Sequence, residues 1–364
     1  ATVCANNFVN GGDINDFVSG YFINYYGLFT LQSQTATMTN GYIYAGTDMS
    51  IGANTLVATN TFLWANNSLT LSVTNSMTDD GAPSGNFWYV GYGSVGNGLM
   101  APVKPASGDL LGTIIYDYAP VGRRVQNVWS GQNLGATTAG FTNNMAIGEL
   151  ILDSLSQTNN TAFSPGFVFS GSGANNAMYV DELVLLDYAS YNNRNGTTNL
   201  LAVSINTNMV IYYAQAVDGD GTSVAQKLNG FNGGRFVWIP GYQGYYNSLA
   251  SVNSNGTTNY LNPSLAHSPF FVTTSVNIKE TITNMPTPKV ALTWLSFPYA
   301  TNSVLFTTNL SAAPTIWTVW TNFTAPGTSW PATNTVYDPV RNPPRYYKVS
   351  VWPNSSQTHP PPGF

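Results

Sequence analysis

Charge is what this 364-residue chain has least of: 7% of its residues are Asp, Glu, Lys or Arg, against 43% hydrophobic and 13% aromatic. Soluble domains carry roughly a quarter of their residues as charges, so this surface must be built from Asn, Thr, Ser, Gly and Tyr. Such groups bond to water, to sugars or to an identical neighbour without ionic repulsion. The 11 basic residues are scattered apart from Arg123-Arg124, and the net charge is −5. No stripe is present that neutralises phosphates, which excludes nucleic acid as a partner. Cysteine occurs once, at Cys4, so no disulfide forms within the chain. That residue reads either as a free or buried thiol or as a crosslink to another chain. Histidine occurs only at His267 and His359. A Ser-His-Asp triad would have to use His267, around which no nucleophile-elbow pattern stands. Soft zinc ligands are equally scarce. No apolar run approaches the roughly 20 residues of a membrane-spanning helix. The start, Ala1-Thr2-Val3, fits a mature product after removal of a signal peptide, as it also fits a piece cut from a longer chain.

What is present is strand pattern. In Ser68 to Thr74 apolar residues alternate with hydroxyls, the period of a half-buried strand. Similar runs span 41–45, 87–91, 113–118, 149–153, 179–188, 203–205 and 209–217, with Gly and Asn clusters between them. Short strands separated by frequent turn signals predict an all-β chain of tandem β-sandwiches. The predicted division is a jelly-roll-like sandwich over 1–195, a β-rich continuation or small second domain over 196–285, a fibronectin-III-like sandwich over 289–353, and an extended Pro-rich tail over 354–364. The boundary near Asn284 to Pro288 rests on two prolines that interrupt the ladder. One helix is expected, Ser223 to Gly230, with Ser223 and Gln226 as a capping box and Gly230 in the left-handed position that ends it. Asn-Gly-Thr-Thr-Asn occurs at 195–199 and at 255–259, and Asn-Gly favours hairpin tips at both.

Ala177 to Asp187, preceded by the Gly-Asn-rich 171–176, resembles the closing strand of concanavalin-like and laminin-G-like jelly rolls. Leu292-Thr293-Trp294, Thr307 to Leu310, Trp317 and Arg345 to Val349 resemble the fibronectin-like end modules of large secreted surface proteins of planctomycete and verrucomicrobial type. More broadly, 56–261 is similar to segments of such bacterial proteins. The resemblance implies a location and a fold, and brings no catalytic residues with it.

Candidate sites follow from residue chemistry. Alternating carboxylates with a turn-permitting Gly make Asp218 and Asp220 candidate ligands of a structural calcium, with Asp79-Asp80-Gly81 similar. Trp238, Tyr242, Tyr245 and Tyr246 offer rings for stacking on sugar faces, or else pack in a core and at an edge. Cys4 and Phe8 lie in an N-terminal stretch expected to exchange between subunits, with Gly11-Gly12 as hinge. Sequons fall at Asn66, Asn159, Asn195, Asn255, Asn309, Asn322 and Asn354. A glycosidase needs two carboxylates roughly 5 to 10 Å apart. Glu149 and Asp153, four apart on one strand, stand about 13 Å apart, and Asp181 and Glu182 alternate to opposite faces.

The leading reading is a secreted, non-enzymatic structural protein, a subunit of an extracellular filament, tubule or surface layer. It would need no cofactor beyond the candidate calcium, and its partners would be copies of itself and cell-surface glycans. The alternatives are a carbohydrate-binding adhesive module and a glycoside-active enzyme of jelly-roll type.

Overall fold

Three turn residues at intervals of 20 set the architecture: Asn40, Asn60 and Asp80 hold φ of 51°, 51° and 64°. Left-handed backbone costs most residues ~1–2 kcal/mol, and Asn and Asp are among the few that enter it routinely. Between these corners the chain runs out along one sheet and back along another, so each interval of 20 residues closes one coil. The computed structural model describes residues 2–4, 8–18, 21–24, 27–81, 84–91, 96–120, 122–154, 166–218, 222–248, 250–252, 258–260, 279–283, 289–296, 301–309, 318–324, 332–339 and 345–352.

Residues Ala1–Leu249 form one unit and Ala250–Phe364 a second. In the first unit, successive strands alternate between two sheets. One sheet holds, side by side, Thr2–Cys4, Tyr21–Asn24, Tyr42–Ala45, Phe62–Ala65, Phe87–Val90, Leu110–Ala119, Ile147–Ser154, Asn176–Asp187, Met209–Asp218 and Phe236–Trp238. The other holds Phe8–Val18, Phe29–Thr39, Met49–Thr59, Leu69–Thr78, Asn97–Ala101, Arg124–Trp129, Gly166–Gly171 and Val203–Ile205, with the two-residue Ser107–Gly108 also beside Leu69–Thr78. Every pairing between strands of these two sheets is parallel. This is a parallel β-solenoid, and it overturns the expected tandem jelly-roll sandwiches, whose sheets are antiparallel. The period-2 pattern marks which side chains go inward and is the same for either arrangement. Strand direction is decided by where the chain goes after each turn. Here it crosses to the opposite sheet and returns one strand spacing, ~4.8 Å, further along.

The interior is a set of stacked rows. Ile43, Leu63, Trp88, Ile115, Leu150, Leu183 and Ala216 occupy one register position through seven strands, and all belong to the buried core. From the opposite sheet Leu31, Ile51 and Leu71 form a matching row. Trp88 keeps its indole N–H satisfied inside by donating to Thr61 Oγ1 at 2.9 Å. The core closes at the last coil with Val224, Ala225, Leu228 and Phe231. The expected helix is there shortened to Ala225–Leu228 and lacks its capping box, because the Ser223 hydroxyl donates instead to Gln215 Oε1 at 3.0 Å. Gly230 does take left-handed backbone, φ 88°. The Asn195-Gly196 turn is likewise left-handed, φ 49° and 73°, but lies in a crossover loop between the two parallel sheets rather than at a hairpin tip.

The exterior is stitched from coil to coil by side chains 20 residues apart, most of them neutral. Asn60 Nδ2 donates to Asn40 Oδ1 at 2.6 Å, Thr74 Oγ1 to Asn54 Oδ1 at 2.9 Å, and Asn54 Nδ2 to Gln34 Oε1. Ser68 Oγ donates to Asp48 Oδ1 at 2.6 Å. In the second unit the strands pair antiparallel: Lys289–Ser296 lies between Lys279–Thr283 and Ala332–Pro339, and Thr301–Thr307 between Thr318–Thr324 and Tyr346–Trp352. Asp338, fully buried, ties these two sheets by accepting from Arg345 and from the Tyr347 hydroxyl, each at 2.7 Å. The Pro286 boundary and the Pro-rich tail lie outside the described residues.

Asn60 joins both devices of the coil, the left-handed corner and the side-chain ladder. Asn60→Ala should destabilise the solenoid by about 1–2 kcal/mol, whereas Asn60→Gly, which restores the backbone freedom, should recover most of that loss. Urea titration followed by circular dichroism checks the order; equal losses in the two variants would show that the corner conformation carries no weight.

Candidate functional site: a ring column and a row of buried carboxyls

The outward positions of the first sheet carry rings over several successive coils. Tyr42, Phe62 and Phe87 share one register position, with centroids 4.9 and 5.7 Å apart. Two residues along, Tyr44, Trp64, Tyr89 and Tyr116 form a second column with spacings of 6.1, 4.1 and 5.1 Å. The spacing of parallel strands sets this geometry: identical positions in adjacent coils bring flat rings within stacking range, worth ~0.5–1.5 kcal/mol per pair beyond area burial. The rings from Tyr44 to Tyr116 are buried.

Where the rings stop, acids begin. Glu149, Glu182 and Gln215 continue the register of Phe87 and Ile114 on the next three strands. Val180 and Leu183 both belong to the core, as do Ile147 and Leu150, and Tyr213 and Ala216. Strict alternation is therefore broken at the same place in three neighbouring strands, and each accommodates two residues between inward positions. Asp181 and Glu182 do not alternate to opposite faces of a regular strand as expected, and Glu149 lies one strand spacing, ~4.8 Å, from Glu182. Both are almost fully buried, at 1% and 2% exposure. Further along, the Tyr116 hydroxyl donates to Asp153 Oδ2. Asp117 points into the core of the coil, where Asn127 Nδ2 donates to its Oδ2 at 2.5 Å and its Oδ1 has no hydrogen-bond partner among the described residues.

Burial dominates the electrostatics. Desolvation pushes Asp117 up to about 7, opposed by the Asn127 hydrogen bond, and pushes Asp181 up to about 7 against two backbone N–H donors. Glu149 is held well above the carboxylate range by burial and then by the Asp181 charge. Asp153 is raised by burial and by Asp187 beside it. Asp79 is raised by burial despite accepting from Gly112 N–H at 2.7 Å and Thr113 Oγ1 at 2.8 Å.

The residues singled out from sequence are dispersed over the molecule. Asp218 is buried, ends its strand and accepts from Tyr191 N–H at 2.6 Å, while Asp220 lies outside the described residues. Among the described residues no group of three or more His, Cys, Asp and Glu is arranged to hold a metal. Trp238 is half-buried against the core and donates to Ala214 O at 2.9 Å. Tyr242 stacks on Phe141 at 3.7 Å, and Tyr246 is buried. Of the four rings only Tyr245 is exposed, at 40%. Cys4 sits opposite Ile23, and Phe8 opposite Phe29, in the first strands of the solenoid. Asn66 is half-buried and donates to Gly46 O, whereas Asn195, Asn309 and Asn322 are exposed. Asn159, Asn255 and Asn354 lie outside the described residues.

Reasoning along single strands missed both the ring column and the acid row. The signal was spacing between strands: Tyr42 and Phe62, like Tyr44 and Trp64, are 20 apart, and Gly-Glu-Leu at 148–150 returns as Asp-Glu-Leu at 181–183 and as Ala-Gln-Ala at 214–216. Comparison with family models, curated proteins and solved structures gives no match for this chain.

The buried carboxyls make stability depend on pH with a definite sign. Asp117 and Asp181 keep their protons to about pH 7 when folded, while the unfolded chain releases them near 4. Between those values the folded state binds more protons, so stability falls as pH rises from roughly 4 to 7. The thermal midpoint should be higher at pH 5 than at pH 8, and Asp117→Asn should flatten the difference. A midpoint that rises from pH 5 to pH 8 would refute the assignment of these groups as neutral acids.

Proposed function

We propose that this protein is a secreted, non-enzymatic structural element of the cell exterior, a component of a filament, tubule or surface layer whose partners are copies of itself. The observation that carries the reading is the way the coils are joined on the outside. The Gln34-Asn54-Thr74 and Asn40-Asn60 ladders cross-link successive coils without using a formal charge. A wall built this way tolerates changes of ionic strength that would weaken an ion-paired surface, and suits a protein that works outside the cell, where no compartment buffers its surroundings. Neutral amides and hydroxyls are also the groups that bond to sugars, so the same wall is compatible with contact to cell-surface glycans. Of the rings first considered for sugar stacking, Tyr245 alone retains exposure for that role.

The contacts between subunits should share the character of the wall. With 11 basic and 16 acidic residues in the whole chain, few of them can be ionic, and a Debye length of ~3 Å in 1 M salt leaves apolar and neutral hydrogen-bonded contacts in place. Negative-stain microscopy should therefore show assemblies that persist in 1 M sodium chloride. Loss in excess chelator alone would point to a bridging calcium. Dispersal by salt alone, or monomers under every condition, would overturn the structural reading.

A further inference from the structure

The last ten residues described in the first unit, Ile239–Ser248, return across the outer face of the first sheet. Ile239 N–H donates to Tyr213 O at 2.8 Å, and Tyr242 lies flat on Phe141, centroids 3.7 Å apart and planes within 6°. From there the chain reaches back over three neighbouring strands and sets Tyr246 between them. Its hydroxyl donates to Gly112 O at 2.7 Å, on strand Leu110–Ala119, and its backbone N–H donates to Asp181 Oδ2 at 2.8 Å, on strand Asn176–Asp187. The strand between them supplies Gly148, where a Cβ would stand 2.5 Å from the Tyr246 ring. Gly244 lies against the Asp181 carboxyl, again with no room for a side chain. The slot is therefore cut for this ring, and Tyr246 is 5% exposed in it.

The walls of the slot are acidic on every side. Asp79 faces it from the turn after Leu69–Thr78, Glu149 from Ile147–Ser154, and Asp181 from Asn176–Asp187, with Glu182 next to Asp181; Glu149, Asp79, Tyr245 and Asp181 act on Tyr246 electrostatically, Tyr245 with its ring edge-on to it at 5.1 Å. Asp109 acts with Asp181 on Tyr242 at the start of the strap. Asp181 Oδ1 is buried without a hydrogen-bond partner among the described residues. A protonated carboxyl lies in such a slot at little cost. An ionised one places a desolvated negative charge among other acids, and the two backbone donors of the strap are too few to offset it.

We propose that Ile239–Ser248 is a proton-operated latch: the strap lies closed over the sheet while the acids lining the Tyr246 slot are neutral, and it lifts as Asp181 and then Glu149 ionise. Lifting admits water to the carboxyls and relieves their repulsion while the coils beneath stay intact, since the core rows on these strands belong to the opposite face. The direction agrees with burial, which raises the pKa of Asp79, Glu149 and Asp181.

Hydrogen exchange on the full chain, corrected for the intrinsic pH dependence of exchange, tests this at the amides of Tyr246 and Asn247. Loss of one proton predicts that protection there falls about tenfold per pH unit from roughly pH 4, where the opened carboxyl ionises, up to about pH 7, and levels off above it, while the amides of Leu150 and Leu183 stay protected. Asp181→Asn should hold protection at pH 7 near its value at pH 5. Should that variant fail to fold, Glu149→Gln is read in its place and should make the fall shallower. Three results would overturn the proposal: protection at Tyr246 that does not change with pH, a variant that falls in step with the wild type, or loss at Leu150 and Leu183 together with the strap, which would mean global unfolding rather than a latch.

Discussion

Backbone hydrogen bonding between successive coils is the interaction on which everything else in the first unit depends. A parallel ladder bonds each residue to its counterpart in the next coil, so a position fixed in one coil fixes a column through all of them. Columns of Leu and Ile fill the interior, columns of Asn hold the corners, and columns of Tyr, Phe and Trp stack on the outside. The side chains did not have to find one another across the sequence. Register placed them, and selection at a single position was repeated at every coil.

The same rule explains the crowded acids. A column that suits rings, which gain from close stacking, becomes costly when carboxyls occupy it, since like charges one strand spacing apart repel and the interior does not screen them. The fold buries both Glu149 and Glu182, Glu149 deeply enough that its carboxyl is held well above the ordinary range, and the break in alternation at Ile147–Leu150 and Val180–Leu183 keeps them off the core face. Asp117 solves the problem differently, facing inward against Asn127, which spans from the opposite sheet.

Strand positions were legible in the sequence because alternation is a local property. The runs at 41–45, 87–91, 203–205 and 209–217 fall on observed strands almost residue for residue. Direction was not legible in the same way, since Leu69-Thr70-Leu71 reads identically whether its neighbour runs parallel or antiparallel. The decisive evidence was the return of Asn40 as Asn60 and of Tyr42 as Phe62, which becomes visible only when the chain is folded at intervals of 20. The acid row was obscured by a further change: beyond Phe87 the coils lengthen, and Glu149, Glu182 and Gln215 return every 33 residues instead. Distances reckoned along one strand placed Glu149 relative to Asp153 and never relative to Glu182. The Ser223 cap failed for a related reason, as Gln215, adjacent to Ser223 in the fold, competes for its hydroxyl.

The Asp117–Asn127 pair has a mechanical meaning. In a solenoid each coil touches only the coil before and the coil after, so tension along the axis is carried in series and the chain of coils is as strong as its least cohesive junction. Asp117 and Asn127 are ten residues apart on consecutive strands of opposite sheets, so their contact braces a single coil from side to side and lies outside the junctions with its neighbours. Axial load would fall on the backbone ladders between coils, while this pair resists flattening of the one coil it spans.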